Sequence, residues 1–193
     1  LTTTSASSPH ATVADHVARG KAARAATPRS SHAELPSVPD RADPVEILER
    51  QALTRLPDLV PIRYGRMAHS AFTFFRGAAM VMASDLAATP TSGLHAQLCG
   101  DAHCSNFGVF GTPERRLVFD TNDFDETLPG PWEWDVKRLA ASIEIAGRDN
   151  GFEPPLRRAA VLATVAAYRE WMARFATMRA LDVWYAHLEV AEI

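Results

Sequence analysis

Two short apolar stretches, FGVF at 107–110 and LVFD at 117–120, flank GTPERR, and each borders a polar cluster on its outer side: HCSN at 103–106 and NDFDE at 122–126. Strand-forming residues on either side of a loop containing Gly111 and Pro113 predict a β-hairpin, with those two residues supplying the turn chemistry. A hairpin places its outer ends beside each other. HCSN and NDFDE are therefore expected to meet in space, and the rest of the chain has to fold around that juxtaposition.

The segments on either side support one α+β unit. Residues 1–43 are rich in Thr, Ser, Ala and Pro, a composition that buries too little apolar surface to offset its ordering entropy, so they are expected to form a mobile tail. From Asp43 to Leu56, an N-cap aspartate, Pro44 at the first helical position and apolar residues at 45, 47, 48, 52 and 56 predict an amphipathic helix. Met67–Ala88 reads as one core helix entered through an aromatic turn at Phe72, Phe74 and Phe75, and His95–Leu98 as a short strand broken by Gly100. LPGPWEW, from Leu128, reads as a rigid loop. The following helix is expected to be capped by Asp135 and to bury Trp134, Val136, Leu139, Ala140, Ile143 and Ala146. A last helix is expected from about Pro155 to Ala180, with Leu156, Ala160, Ala163, Ala167, Trp171 and Phe175 on one face.

Composition excludes several classes. The 193 residues suffice for one domain with a core. A net charge of −3 and the lack of a basic stripe argue against nucleic acid as a partner. No run approaches the ~20 apolar residues of a membrane span, and no basic head with an apolar stretch marks a secretory signal, so no membrane association and a cytoplasmic location are expected. Cys99 and Cys104 are expected to be reduced thiols. The chain starts at Leu1 and stops within a helical pattern, so a fragment of a longer protein is expected.

An asparagine and several aspartates at the ends of paired strands are hard oxygen donors suited to magnesium beside substrate phosphates, and a further aspartate could accept a proton from an attacking hydroxyl. Asp101 precedes Asn106 by five residues, and Asp123 arrives at the neighbouring strand end. GDAHCSNFG resembles the G-D-x-H-x-x-N catalytic loop of the protein-kinase-like superfamily, closest to its aminoglycoside and choline phosphotransferase branch, and NDFDE resembles the metal-binding segment of that group. Asp123 precedes Asp135 by twelve residues, a spacing similar to that between the metal aspartate and the structural aspartate of those enzymes. From RGAA at Arg76 through RLAAS at Arg138, the chain resembles more closely still the bacterial DUF2252 family, over roughly residues 45–190.

The resemblance implies the catalytic-lobe portion of a kinase-like phosphotransferase over residues 44–193, with a β-hairpin carrying the site. It implies magnesium and ATP as cofactors and a small molecule as acceptor. Asp101 is similar to the catalytic base, with His103 orienting the loop, while Asn106 and Asp123 are similar to the magnesium ligands. Asp125 reads either as a second metal ligand or as a substrate-facing carboxylate. Arg76 faces the acidic cluster or a phosphate, or is a surface arginine beside an aromatic ring. The nucleotide-clamping lobe is not evident, because residues 1–99 contain no G-x-G pattern and one lysine, Lys21; the resemblance places both elements further along the chain, and the fragment is expected to be inactive alone. Other readings stay open. Asp and Asn suit turns, His103 suits a buried packing role, and Cys99, His103 and Cys104 suggest zinc weakly. A metal-dependent hydrolase and a non-catalytic kinase-like binding module are the functional alternatives.

Overall fold

Helix α1 (Val13–Ala26) forms without help from a core. In the computed structural model, which describes residues 11–34 and 41–192, the Asp15 N–H donates to Thr12 Oγ1 and the Thr12 N–H donates to Asp15 Oδ2. Behind this reciprocal cap run alanine, arginine and lysine, which favour helix. None of its residues is buried. Within the stretch expected to be a tail, residues 13–26 thus form a local helix, since a low apolar content limits burial without preventing one. Residues 1–10 and 35–40 lie outside the described residues. The Thr27 hydroxyl donates to Thr91 O at 2.9 Å and Arg41 pairs with Asp85 at 2.6 Å, which fastens the segment to the chain around residue 90.

Four short helices follow: α2 (Pro44–Ala52), α3 (Val60–Met67), α4 (Ala71–Gly77) and α5 (Ala79–Leu86). Asp43 caps α2 as expected, accepting from the Val45 N–H at 2.7 Å, and α2 buries Ile47 and Leu48. The single helix expected over 67–88 is instead α4 and α5. Ser70 and Thr73 form a capping box, so the aromatic residues sit inside a helix and not in a turn. The break follows at Gly77, which lies so close to Met67 that a β-carbon there would collide with its side chain. Ile47, Leu48, Met67, Ala78 and Val81, with Tyr64 against them, form the buried apolar cluster.

Four strands then build two antiparallel ladders: β1 (His95–Leu98), β2 (Phe107–Gly111), β3 (Leu117–Thr121) and β4 (Leu128–Pro131). β2 and β3 form the expected antiparallel hairpin, from Phe107 opposite Thr121 to Gly111 opposite Leu117. Its turn differs in detail, because the left-handed residue is Arg115 (φ 64°) and Gly111 is ordinary strand. LPGP is also strand where a loop was expected, with β4 pairing β1 antiparallel and Leu98 opposite Leu128. Pro129 and Pro131 are two apart and share one parity of the ladder, so neither missing N–H interrupts the bonds made through Leu128 and Gly130. The two ladders follow one another along the chain as a ribbon in two parts, joined by two facing segments, 99–106 and 122–127. β5 (Leu188–Glu189) adds to the outer side of β3.

The chain closes with α6 (Glu133–Asp149), α7 (Pro154–Phe175) and α8 (Ala180–Trp184). Asp135 lies in the first turn of α6 and does not cap it. The residues α6 buries are Glu133, Arg138, Ser142 and Gly147 in place of the expected apolar set. Helix α7 stops at Phe175 and has no buried residue; Leu156 and Trp171 on its expected core face are 56% and 47% exposed. It meets α6 where Gly147 faces the stem of Arg157, and Tyr168 stacks on Trp132 at 5.8 Å. Among the described residues no helix is long and apolar enough to cross a membrane.

Gly100 holds the junction between the two ladders in shape. Its φ of +85° favours glycine, and a β-carbon there would run into the backbone of Glu126 on the facing segment. Gly100→Ala is expected to lower stability by about 1–3 kcal/mol from backbone strain alone, with the collision adding to it. Urea unfolding beside Gly93→Ala, a positive-φ glycine with open space around it, separates the two contributions.

Candidate functional site

One face of α6 grips the segment 99–104 along its length. Asp135 accepts the Cys99 N–H at 2.7 Å and the Gly100 N–H at 3.1 Å through its two carboxylate oxygens. One turn on, the guanidinium of Arg138 reaches the Asp101 carboxylate. A further turn on, Ser142 Oγ accepts the Cys104 N–H at 3.0 Å while its own hydroxyl donates to Leu139 O. Residues 135, 138 and 142 share a helix face because they are three and four apart. This face is polar because its partners are backbone amides and a carboxylate, which cannot be buried without hydrogen bonds.

Asp101 and Arg138 are the centre of the grip. Arg138, 3% exposed, donates to Asp101 Oδ1 through Nε at 2.7 Å and through Nη2. It also donates to Phe75 O at 3.0 Å, reaches Met82 Sδ at 3.6 Å and lies 4.5 Å from the centre of the Phe75 ring. His103 Nε2 sits 3.3 Å from Asp101 Oδ2; its ring is 2% exposed, meets the edge of Phe72, and has no partner at Nδ1 among the described residues. Burial pushes the Asp101 carboxyl up, but the hydrogen bond with His103 and the Arg138 charge outweigh it and hold the group below its ordinary value. Glu126, on the facing segment, is driven the other way by partial loss of water and then by the Asp101 charge.

The facing segments are joined by the Asn122 N–H, which donates to Asn106 O at 3.0 Å. The Asn106 side-chain amide donates to Asp101 O at 3.0 Å, leaving its oxygen as the donor atom for a ligand. Asp101, His103, Asn106 and Asp123 line one open cavity of about 1330 Å³, which Arg55, Arg63, Arg66 and Arg76 line as well. Five of the six expected site residues are therefore brought together. Asp125 is not among them: it is exposed, and its N–H closes a turn on Asp123 Oδ1 at 3.3 Å. Among the described residues no three His, Cys, Asp or Glu side chains converge as a metal cage would require. Cys99 and Cys104 are free thiols, and burial pushes the Cys99 thiol up, away from the thiolate that zinc binds.

Three features of the site escape a reading of the sequence alone. Arg138 marks there only the end of the resembling stretch, and the structure pairs it with Asp101. Glu126 passes as one member of an acidic run. Arg55, Arg63 and Arg66 pass unremarked, although four arginines and no lysine within residues 55–76 are a signal that composition holds.

Breaking the buried pair from the arginine side leaves an uncompensated carboxylate, so Arg138→Met is expected to cost about 3–5 kcal/mol of stability in urea unfolding. Because the folded Asp101 value is depressed, its stabilisation is present above the ordinary carboxylate value of 3.8 and is lost as pH falls below it. The stability difference between the native chain and Asp101→Asn is expected to be full at about pH 6 and to narrow steadily as pH falls below about 4.

The family described as "Uncharacterized protein conserved in bacteria (DUF2252)" matches residues 55–193, a span that contains both facing segments, α6 and the four cavity arginines. Among curated proteins and among solved structures nothing matches the chain. The chain belongs to the DUF2252 family.

Proposed function

We propose that this cavity is the acceptor and metal side of a kinase-like phosphotransferase that uses magnesium and ATP and acts on a small molecule. The observation that carries the reading is the convergence of Asp101, His103, Asn106 and Asp123 on one cavity from segments about twenty residues apart. The donor set fits the metal in kind. Magnesium is ordinarily held by one or two protein oxygens together with substrate phosphates and water, and Asn106 and Asp123 offer two hard oxygens at adjoining strand ends. When bound, the ion would neutralise charge on the transferring phosphoryl group.

The residues of the chain then divide the work. The hydrogen bond with His103 and the charge of Arg138 hold the Asp101 carboxyl below its ordinary value, and a carboxylate of depressed pKa is a weak base. That suits phosphoryl transfer, where the residue chiefly orients the acceptor hydroxyl and takes its proton late. His103 fixes the direction of the second carboxylate oxygen. The hold of α6 on residues 99–104 keeps these groups in place before any ligand arrives, which favours positioning chemistry. A hydrolase with a resident catalytic metal would want three protein ligands, and the His, Cys, Asp and Glu side chains described here bring no such set together.

Titration calorimetry with magnesium-ATP tests the proposal. The native chain is expected to bind. Asp123→Ala is expected to lose about tenfold or more in affinity, about 1.4 kcal/mol. Asp101→Asn is expected to keep magnesium-ATP binding, because the residue is placed on the acceptor and not on the metal. Absence of magnesium-ATP binding by the native chain would overturn the reading, and binding indifferent to Asp123 would move it to a non-catalytic module.

A further inference from the structure

We infer that Arg55, Arg63, Arg66 and Arg76 form a cationic wall that binds the oxygens of a phosphoryl group in the cavity they share with Asp101 and Asp123, an inference that rests on the reading of this cavity as a phosphoryl site. All four line the cavity. Arg63 and Arg66 are three apart on α3 and so share a face, Arg76 lies in the last turn of α4, and Arg55 lies just ahead of the Pro57 turn. Their bases are set by short helices that pack on each other, so the guanidinium groups start from fixed positions.

Among the described residues the charges of this wall lack an ion-pair partner, and the Glu126 carboxylate acts on Arg55 and Arg63 only at longer range. Among the described residues none of the four lies within 4.0 Å of a carboxylate, whereas Arg41, Arg138, Arg157 and Arg179 all do. The Asp101 carboxylate in the same cavity is already held by Arg138 and His103. Arg63 is half-buried, and among the described residues its guanidinium hydrogen-bonds a neutral acceptor, Gly77 O at 2.6 Å. Burial, and then the like charge of Arg55, both disfavour its charged form. A desolvated guanidinium pressed by a second cation is relieved by an anion. The planar fork of arginine matches phosphate oxygens two at a time, which a lysine cannot do. The two lysines of the chain lie elsewhere: Lys21 on α1, and Lys137 on α6, bonded to Thr89. At about 1330 Å³ the cavity exceeds what a single phosphate fills and has room for a phosphate chain beside an acceptor.

The same chemistry is found in the triphosphate of a nucleotide and in a phosphate carried by the acceptor, and the choice of probe separates them. Inorganic tripolyphosphate and inorganic phosphate, each without magnesium, are titrated calorimetrically into the full chain, into Arg63→Gln and Arg76→Gln, and into Arg169→Gln as an exposed control on α7. Tripolyphosphate is expected to bind, to weaken about tenfold or more in both cavity variants, to be unchanged in the control and to weaken with added salt. Arg76 is exposed, so its variant remains informative if Arg63→Gln folds poorly. Preference for tripolyphosphate assigns the wall to the nucleotide, and equal binding of phosphate assigns it to a phosphorylated acceptor. No tripolyphosphate binding, or binding unaffected in the cavity variants, overturns the inference. Magnesium-ATP binding that depends on Asp123 but not on the arginines removes the wall and leaves phosphoryl transfer standing. Arginine-dependent tripolyphosphate binding with no binding of magnesium-ATP does the reverse.

Discussion

A guanidinium withdrawn from water must have its charge matched and its N–H groups satisfied, and Arg138 meets that demand by tying together parts of the chain far apart in sequence. Its donors reach the Asp101 carboxylate, a carbonyl in α4 and a sulfur in α5, and its plane lies against the Phe75 ring. The short helices upstream, the segment carrying the site and the helix behind it all depend on this one side chain. Asp135 and Ser142, a turn away on either side, extend the hold to the amides of Cys99, Gly100 and Cys104. Buried polar groups of this kind add less to net stability than apolar packing of the same volume, but they fix which arrangement is adopted. The apolar cluster here is small, and the polar face of α6 supplies the specificity.

The consequence for chemistry is an asymmetric cavity. One wall, built from 99–106, is held rigidly and carries Asp101, His103 and Asn106. The segment 122–127 opposite it is held at its ends by β3 and β4, by the Asn122 amide and by the Thr127 hydroxyl on Leu98 O. Its centre, with Asp123, Phe124 and Asp125, is exposed. Under the proposed function, the fixed wall would face the acceptor and the more open one a metal that arrives with its phosphates. The arginine wall on α3 and α4 gives the cavity the positive charge that the carboxylates lack.

The hairpin was legible because its signal is local: alternating apolar residues around a short loop determine which ends meet, and the meeting of HCSN with NDFDE follows. The partnership of β1 with β4 was not, because Pro129, Gly130 and Pro131 carry the composition of a loop; only the ladder parity of a two-stranded ribbon makes those prolines harmless. The face of α6 was misread for a related reason. Periodicity searches for apolar stripes, while α6 turns Arg138 and Ser142 inward because its neighbours are amides and a carboxylate. The start of α4 was written in Ser70 and Thr73 and its end in Gly77, yet runs of helix-compatible residues hide both. Of the site, the carboxylates and the asparagine were visible through their resemblance to a known loop, whereas Arg55, Arg63 and Arg66 belong to no such pattern and emerge only when α3 and α4 are placed.

The central claim is that α6 holds the site segment in place before any ligand binds. Native-state hydrogen exchange at the amides of Cys99, Gly100 and Cys104 tests it directly, since all three donate to side chains of α6 and not to a strand. They are expected to exchange with opening free energies close to those of the α6 amides, while Phe124 on the facing segment exchanges orders of magnitude faster. Exchange of Cys99, Gly100 and Cys104 as rapid as that of Phe124 would contradict the account.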